Sequence, residues 1–530
     1  MRRWNGWGDH NVIYPLPAKA EPFLNAGVGE SKPPQDTHKE NVLNTIPVSR
    51  LPMHPLVSTA AEERLCHARG QSLPDWIALR SGRIQTFPDG VAYPQNEAEV
   101  QTLLRYASDV GAKLIPYGGG TSVVGHINPQ PGDAPVLTID MRCLNQLQAF
   151  DQESQLATFG AGVSGPDLEA QLRACGYTLG HFPQSFEFST LGGWIVTRSS
   201  GQQSLRYGRI ENLFAGGTLI SPAGKLILPN LPASAAGPSI HQMILGSEGR
   251  MGIVTEATVR VSPLPQTEDF HAVFFPDFES GKTAVRQIVQ AGLPLSMLRM
   301  STAVETETML TLAGHERLLK MMDQYLALRK VREDKCLLML GFSGDEALVK
   351  TTRKRALDIC RDNYGIHVGK QFGKQWHKGR FRTPYLRNTL WEKGYAIDTL
   401  ETAVSWNKID TTLAAIETAI HDGLADIDER VHVFTHLSHV YPQGASIYTT
   451  YLYRLADDPD ENLRRWQILK GAASQAIIAH GATISHQHGI GSDHAPYLQA
   501  EKGTLGMAVL GDVVKRFDPE GLMNPGKLLA

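Results

Sequence analysis

The chain has 530 residues, 42% hydrophobic and 20% charged, which is enough for a large core and too many for one ordinary domain. Its formal net charge of −3 offers no basic face or stripe, which excludes nucleic acid as a partner class. Cys66, Cys143, Cys175, Cys336 and Cys360 are widely spaced and form no Cys-x-x-Cys pair, which suits a reducing, cytoplasmic setting and no zinc cluster.

Residues 1–87 are expected to form an N-terminal arm and a helical region. The arm is rich in Pro, Asn and Gly and lacks periodicity, but Trp4 and Trp7 argue that it docks. No signal-peptide core and no apolar run of membrane-spanning length occurs. From Pro94 the pattern becomes regular: Val100, Leu103, Leu104 and Ala107 have helical spacing over 96–110, and 112–116 reads as a strand entering Gly118-Gly-Gly. Strands are expected at 136–139, 157–159, 215–220 and 253–261, with a helix at 165–175. Past the breaker Pro263-Leu-Pro, longer helices (281–290, 316–330, 346–364, 409–424) alternate with strands at 336–342 and 446–452. A second domain begins there, and the fold class is α+β.

Three loops share one character. The first, Pro116-Tyr-Gly-Gly-Gly-Thr-Ser-Val-Val-Gly125, follows a strand; glycines let backbone N–H groups approach an anion, and Thr121 and Ser122 add hydroxyl donors. Its spacing is neither the G-x-G-x-x-G nor the Walker pattern. The second is Phe182-Pro-Gln-Ser-Phe-Glu-Phe-Ser-Thr-Leu-Gly-Gly-Trp194 with Thr197-Arg-Ser-Ser-Gly201, and the third is Gly246-Ser-Glu-Gly-Arg-Met-Gly-Ile-Val-Thr-Glu256. Together they suggest one extended cofactor.

The strings PYGGGTS, FSTLGGW, TRSSG, YGRIENL and GSEGRMGIVTEA resemble the two-lobed FAD-binding domain of the vanillyl-alcohol oxidase, or p-cresol methylhydroxylase, superfamily. The resemblance implies FAD-binding roles for Pro116, Gly118, Gly119, Gly120, Thr121 and Ser122 in the first loop. In the second it implies them for Pro183, Ser185, Ser189, Thr190, Gly193, Thr197 and Ser200, and in the third for Glu248, Gly252 and Ile253. Members with a histidyl-flavin bond carry His after Gly-Gly in the first loop; Thr121 stands there, so the expected FAD is non-covalent.

Beyond the flavin loops, Thr483-Ile-Ser-His-Gln-His-Gly-Ile-Gly491 reads as an apolar strand delivering His486 and His488 into a glycine turn. His432, His436 and His439 form a second cluster before Tyr441 and Tyr448. The hydroxy-acid dehydrogenase branch binds a divalent metal through such histidines. On that pattern His436 keeps a ligand position, but Tyr448 and Gln487 replace an imidazole and a carboxylate, so no metal is expected. The same departures, with Trp4-Asn-Gly-Trp-Gly8, Met297-Leu-Arg-Met300, Pro384-Tyr-Leu-Arg-Asn388 and Gly444-Ala-Ser-Ile-Tyr448, resemble the alkyldihydroxyacetonephosphate synthase branch.

That resemblance implies exchange of the acyl group of acyl-dihydroxyacetone phosphate for a fatty alcohol through a flavin N5 adduct. Tyr448, His486, Gln487 and His488 are then the catalytic candidates, and Arg299 and Arg387 the phosphate ligands. The middle residue of the branch's three histidines is Gln487 here, which keeps open the alternative of an oxidase or dehydrogenase of a 2-hydroxy acid or polyol phosphate. The expected layout is an FAD domain over 88–265, an α+β substrate cap over 266–475 and a C-terminal helical segment over 476–530 returning to the flavin. A homodimer follows from the resemblance, and the amphipathic, basic stretch 316–330 admits peripheral membrane contact with a lipid-linked substrate.

Overall fold

The computed structural model describes residues 2–313 and 316–529, so the first residue of the expected arm and the last of the C-terminal segment lie outside it. Three large sheets organise the described residues, beside a two-stranded pair formed by Tyr177–Thr178 and Ser262–Pro263. The first has the strand order Val57–Ser58, Gly90–Ala92, Val136–Asp140, Lys113–Tyr117, and its last three strands run parallel. The helix Glu97–Asp109 starts at Asn96, whose side chain accepts from Glu99 N–H, and it buries the predicted stripe Val100, Leu103, Leu104 and Ala107.

The second sheet is antiparallel, in the order Leu147–Asp151, Leu156–Gly160, Ile253–Arg260, Phe214–Ser221, Gly224–Leu228. Its core gathers Phe159, Leu168, Leu172, Trp194 and Val259.

The third is a seven-stranded antiparallel sheet in the order Ile366–His367, Thr267–Phe275, Cys336–Gly344, Met297–Ser301, His432–Val440, Gly444–Arg454, Tyr395–Ser405. Helices Phe278–Gln290 and Glu346–Asp362 close one core on it, around Val285, Ile288 and Val349. Helices Ile409–His421 and Pro459–Ala479 help close another that includes Trp76, Tyr451 and Tyr453. The mixture of sheets and separate helices is α+β. No helix among the described residues is long and apolar enough to cross a membrane.

The arm is more ordered than its composition predicts. Trp7 is buried beside Trp76 and Tyr385; its N–H donates to Asn388 Oδ1 (3.1 Å) and its carbonyl accepts from Asn388 Nδ2 (2.9 Å). A nine-residue helix, Ala20–Val28, forms because Leu24 and Val28 bury against Tyr395 and Leu452, a tertiary cause that local periodicity does not display.

The C-terminal helix Leu498–Phe517 bends at Gly503, and the tail then returns to the first sheet, where Leu114 N–H donates to Leu522 O and Asn524 N–H to Leu114 O.

Thr483–Gly491 is not a strand. It is an irregular turn, because the N–H groups of His486, Gln487 and His488 are satisfied by one carboxylate rather than by a neighbouring strand.

Candidate active site

Between the first two sheets lies a cleft. Its wall holds most of the residues expected from the flavin loops: Pro116, Gly118, Gly119, Gly120, Thr121 and Ser122, then Ser185, Ser189, Thr190, Gly193 and Thr197, then Glu248, Gly252 and Ile253. Pro183 and Ser200 stand outside it; Ser200 Oγ turns instead to Ser204 Oγ (3.4 Å).

The loop is shaped for close approach. A Cβ on Gly119 would lie 1.8 Å from Phe188 O, and one on Gly118 2.2 Å from Thr190 Oγ1. The N–H groups of Gly119, Gly120 and Thr121 have no acceptor among the described residues. Free backbone donors on a Cβ-less turn suit a diphosphate, and three loops converging on one cleft suit an extended dinucleotide, so these residues fit FAD.

Glu248 does something the sequence does not announce. Its carboxylate accepts from Ile490 N–H (2.5 Å) and Gly491 N–H (2.8 Å) and lies 3.0 Å from His126 Nε2. It thus fastens the histidine turn to the phosphate loop. Asn524 completes this seam, donating to the carbonyls of His126 and Glu248. The Asn-Pro-Gly-Lys tail was the available signal for it.

Gln487 and His488 also form part of the cleft wall, and they connect it to the third sheet. Across four adjacent strands Ser301 pairs with His436, His436 with Tyr448, and Tyr448 with Glu401, so register alone aligns their side chains on one face. Arg299, two residues from Ser301, shares that face. The His436 ring stacks on Tyr448 at 5.0 Å, and His488 meets Tyr448 edge-on at 5.7 Å.

Behind this line Glu305 accepts from Arg299 Nη2 and His436 Nδ1, both at 2.8 Å. Burial opposes its charge, but Arg299 and His436 win and hold the carboxyl down at about 2. Tyr448 goes the other way: burial pushes its phenol up to about 12, so near neutrality it is a proton donor and not a base.

Glu401 is the residue that sequence reasoning missed. Its carboxylate accepts from the N–H groups of His486 (3.0 Å), Gln487 (2.8 Å) and His488 (2.9 Å), and from Ser485 Oγ (2.9 Å). Although burial opposes it, the two imidazoles and these donors keep it well below the ordinary carboxylate range. His486 Nδ1 stands 3.4 Å and His488 Nδ1 3.7 Å from its oxygens. A glutamate in a far strand whose partners lie 85 residues later leaves no local signature.

Arg387 does not join Arg299. Its guanidinium is buried at 4.3 Å over Trp76, donates to Gln71 O, and has Asp398 and Tyr451 as neighbours. Asp398 pairs with Tyr451 three register positions from the Glu401–Tyr448 pair, hence on the opposite face of the sheet. Burial there lowers Arg387 to about 10.

The two lobes, the cap and the glycine cleft define an FAD-linked oxidase-type flavoprotein. A family model described as "FAD binding domain" matches residues 88–228, and one described as "FAD linked oxidases, C-terminal domain" matches 264–528. A solved p-cresol methylhydroxylase shares the fold, with a TM-score of 0.65 at 13% identity over 89% of this chain and 93% of that one.

Within that class, the chain belongs to the alkyldihydroxyacetonephosphate synthase family. It is 32% identical to the alkyldihydroxyacetonephosphate synthase of Dictyostelium discoideum over 88% of this chain and 77% of the relative. A solved alkyldihydroxyacetonephosphate synthase superposes with a TM-score of 0.84 at 28% identity, covering 99% of this chain and 98% of the other.

Proposed function

We propose that the protein is an FAD-dependent alkyldihydroxyacetonephosphate synthase, exchanging the acyl group of acyl-dihydroxyacetone phosphate for a fatty alcohol. The observation that carries this reading is the His436–Tyr448–His488 stack beside the flavin cleft, with Arg299 on the same face. A redox-neutral exchange needs a proton donor and a proton acceptor at one carbon, and this stack supplies both. Tyr448 donates; His488, whose burial favours the neutral imidazole, accepts. Arg299 is the phosphate ligand.

The glycine loops would hold FAD, whose electron-accepting ring would activate the substrate carbon with no net redox change over the cycle. The cofactor is non-covalent, because Thr121 offers no ring nitrogen for a link. The reading extends to a cytoplasmic enzyme touching a lipid surface through exposed Met321 and Leu328 of the helix Glu316–Leu328, and to a homodimer supported by family kinship alone.

One observation favours the oxidoreductase alternative. Gln487, an amide that exchanges no proton near neutrality, forms part of the cleft wall. An anaerobic experiment separates the two. With acyl-dihydroxyacetone phosphate and a fatty alcohol, an ether product without lasting loss of flavin colour is expected. Lasting bleaching by D-lactate, glycolate or glycerol 3-phosphate, with no ether formed, overturns the synthase reading.

A further inference from the structure

The histidine turn separates two cavities. On one side is the flavin cleft, with Gln487 and His488 in its wall. On the other is a second cleft that includes His486, Gln487 and Tyr441, with exposed Gln242 and Lys502 at its rim. Glu401 stands behind both, with one imidazole Nδ1 on each side of its carboxylate. Neither Nδ1 has a hydrogen-bond partner although both are buried, whereas the outward Nε2 of His486 is 2.6 Å from Tyr441 Oη. The arrangement is a chain: imidazole, carboxylate, imidazole, phenol, second cleft.

Resting on the synthase reading, the exchange sets free one proton per turnover. The alcohol loses its hydroxyl proton as the new C–O bond forms, and the acyl group leaves as a carboxylate with the electron pair of the broken C–O bond. Gln487 cannot carry that proton.

We infer that His488, Glu401, His486 and Tyr441 form the proton exit of the active site, delivering the alcohol's proton to water in the second cleft. His488 takes the proton, and its imidazolium passes one through Glu401 to Nδ1 of His486. Nε2–H of His486 then passes to Tyr441 Oη while the phenolic proton moves to water. No electrons move; Glu401 and Tyr441 return to their starting states, and each imidazole is left as its other tautomer, which rotation of the ring resets before the next turnover.

The surroundings are arranged for this traffic. Arg209, from the flavin domain, donates to His486 O (2.7 Å) and stands beside the Tyr441 phenol with Glu211. On the cap side the His439 ring lies 5.0 Å from His486, and the C-terminal helix brings Glu501 and Lys502 to the cavity wall. His439 itself is committed: its Nε2–H donates to Gly201 O (3.2 Å) and its Nδ1 meets Ser438 Oγ (2.9 Å). It is not a competing branch. Tyr441 is therefore a proton-transfer residue that acts through His486, without touching flavin or substrate.

The test is Tyr441→Phe, which keeps the ring and removes only the hydroxyl. Turnover should fall about a hundredfold with FAD content and flavin absorbance unchanged, and added imidazole, entering through the second cleft, should restore it in proportion to concentration. Unchanged turnover, or a loss that imidazole does not rescue, overturns the exit.

A second readout does not depend on the synthase reading. In protein labelled with 15N-histidine, the Nε2 resonance of His486, assigned with His486→Gln, should carry a strong hydrogen-bond shift that disappears in Tyr441→Phe. Absence of that shift in the wild type overturns the relay even if ether forms. Presence of the shift with no ether from wild type points instead to failure of the synthase reading.

Discussion

Glu401 and Tyr448 are register partners on neighbouring cap strands, yet their protons are driven in opposite directions. The carboxylate is kept charged by backbone donors and two imidazoles, while the phenol is kept neutral by burial. On the synthase reading, the neutral phenol is the site's acid, and Glu401, anionic at rest, anchors the histidine turn between its proton transfers.

Tyr448→Phe should therefore remove the donor and little else. Turnover is expected to drop at least about a hundredfold while FAD affinity and thermal stability stay near wild type. Parallel exchange assays and flavin titrations measure this, and an active variant would falsify the assignment.

Glu305 makes stability depend on acid. Its carboxyl is held down at about 2 against an ordinary 4.5, so its contribution is complete above pH 4.5 and disappears as pH falls toward 2. The shift corresponds to about 3 kcal/mol, reduced in practice by relaxation of the buried cluster. Urea unfolding of wild type and Glu305→Gln should differ by that order at pH 7, and the gap should narrow at pH 3.

At the cofactor, Gly119→Ala would drive a methyl into Phe188 O. The variant is expected to fold, judged by far-UV circular dichroism, and to purify colourless. Wild type should release its FAD on denaturation, and a polypeptide band fluorescent on a denaturing gel would contradict the role given to Thr121.

The two arginines should part company kinetically. Arg299→Lys keeps charge but loses the fork that meets Glu305 and a phosphate, and is expected to raise KM for the phosphorylated substrate about tenfold. Arg387→Lys should leave KM alone and cost about 1–2 kcal/mol of stability, since it loses its stack on Trp76 and fits Gln71 O less well. Steady-state kinetics beside denaturant melts decide between them.

The flavin cleft was legible because each of its three loops is a contiguous string whose glycines and hydroxyls state their own use. Sheet register is different. Glu401, His436 and Tyr448 meet because strands far apart in sequence align, and nothing around residue 401 reports that alignment. The histidine turn was misread as a strand for the same reason: Ile484 and Ala482 are buried as a strand's would be, but the hydrogen-bond acceptor is a distant side chain. Arg387 was expected at the substrate phosphate and lies instead over Trp76 on the opposite face, because sequence does not tell which face of the sheet the helix Thr383–Glu392 covers.

The clasp between Trp7 and Asn388 has a counterpart at the other end, where Leu114 is bridged by Leu522 and Asn524. Segments made early in translation thus wait for partners made late, and the first sheet keeps a raw edge until residues 522–524 have been made. Contacts of such long separation slow folding and leave intermediates in which the domains have formed and the clasps have not. A ribosome stalled before residue 388 would hold a flavin domain with its arm unmoored, a species for chaperones rather than an early-working enzyme.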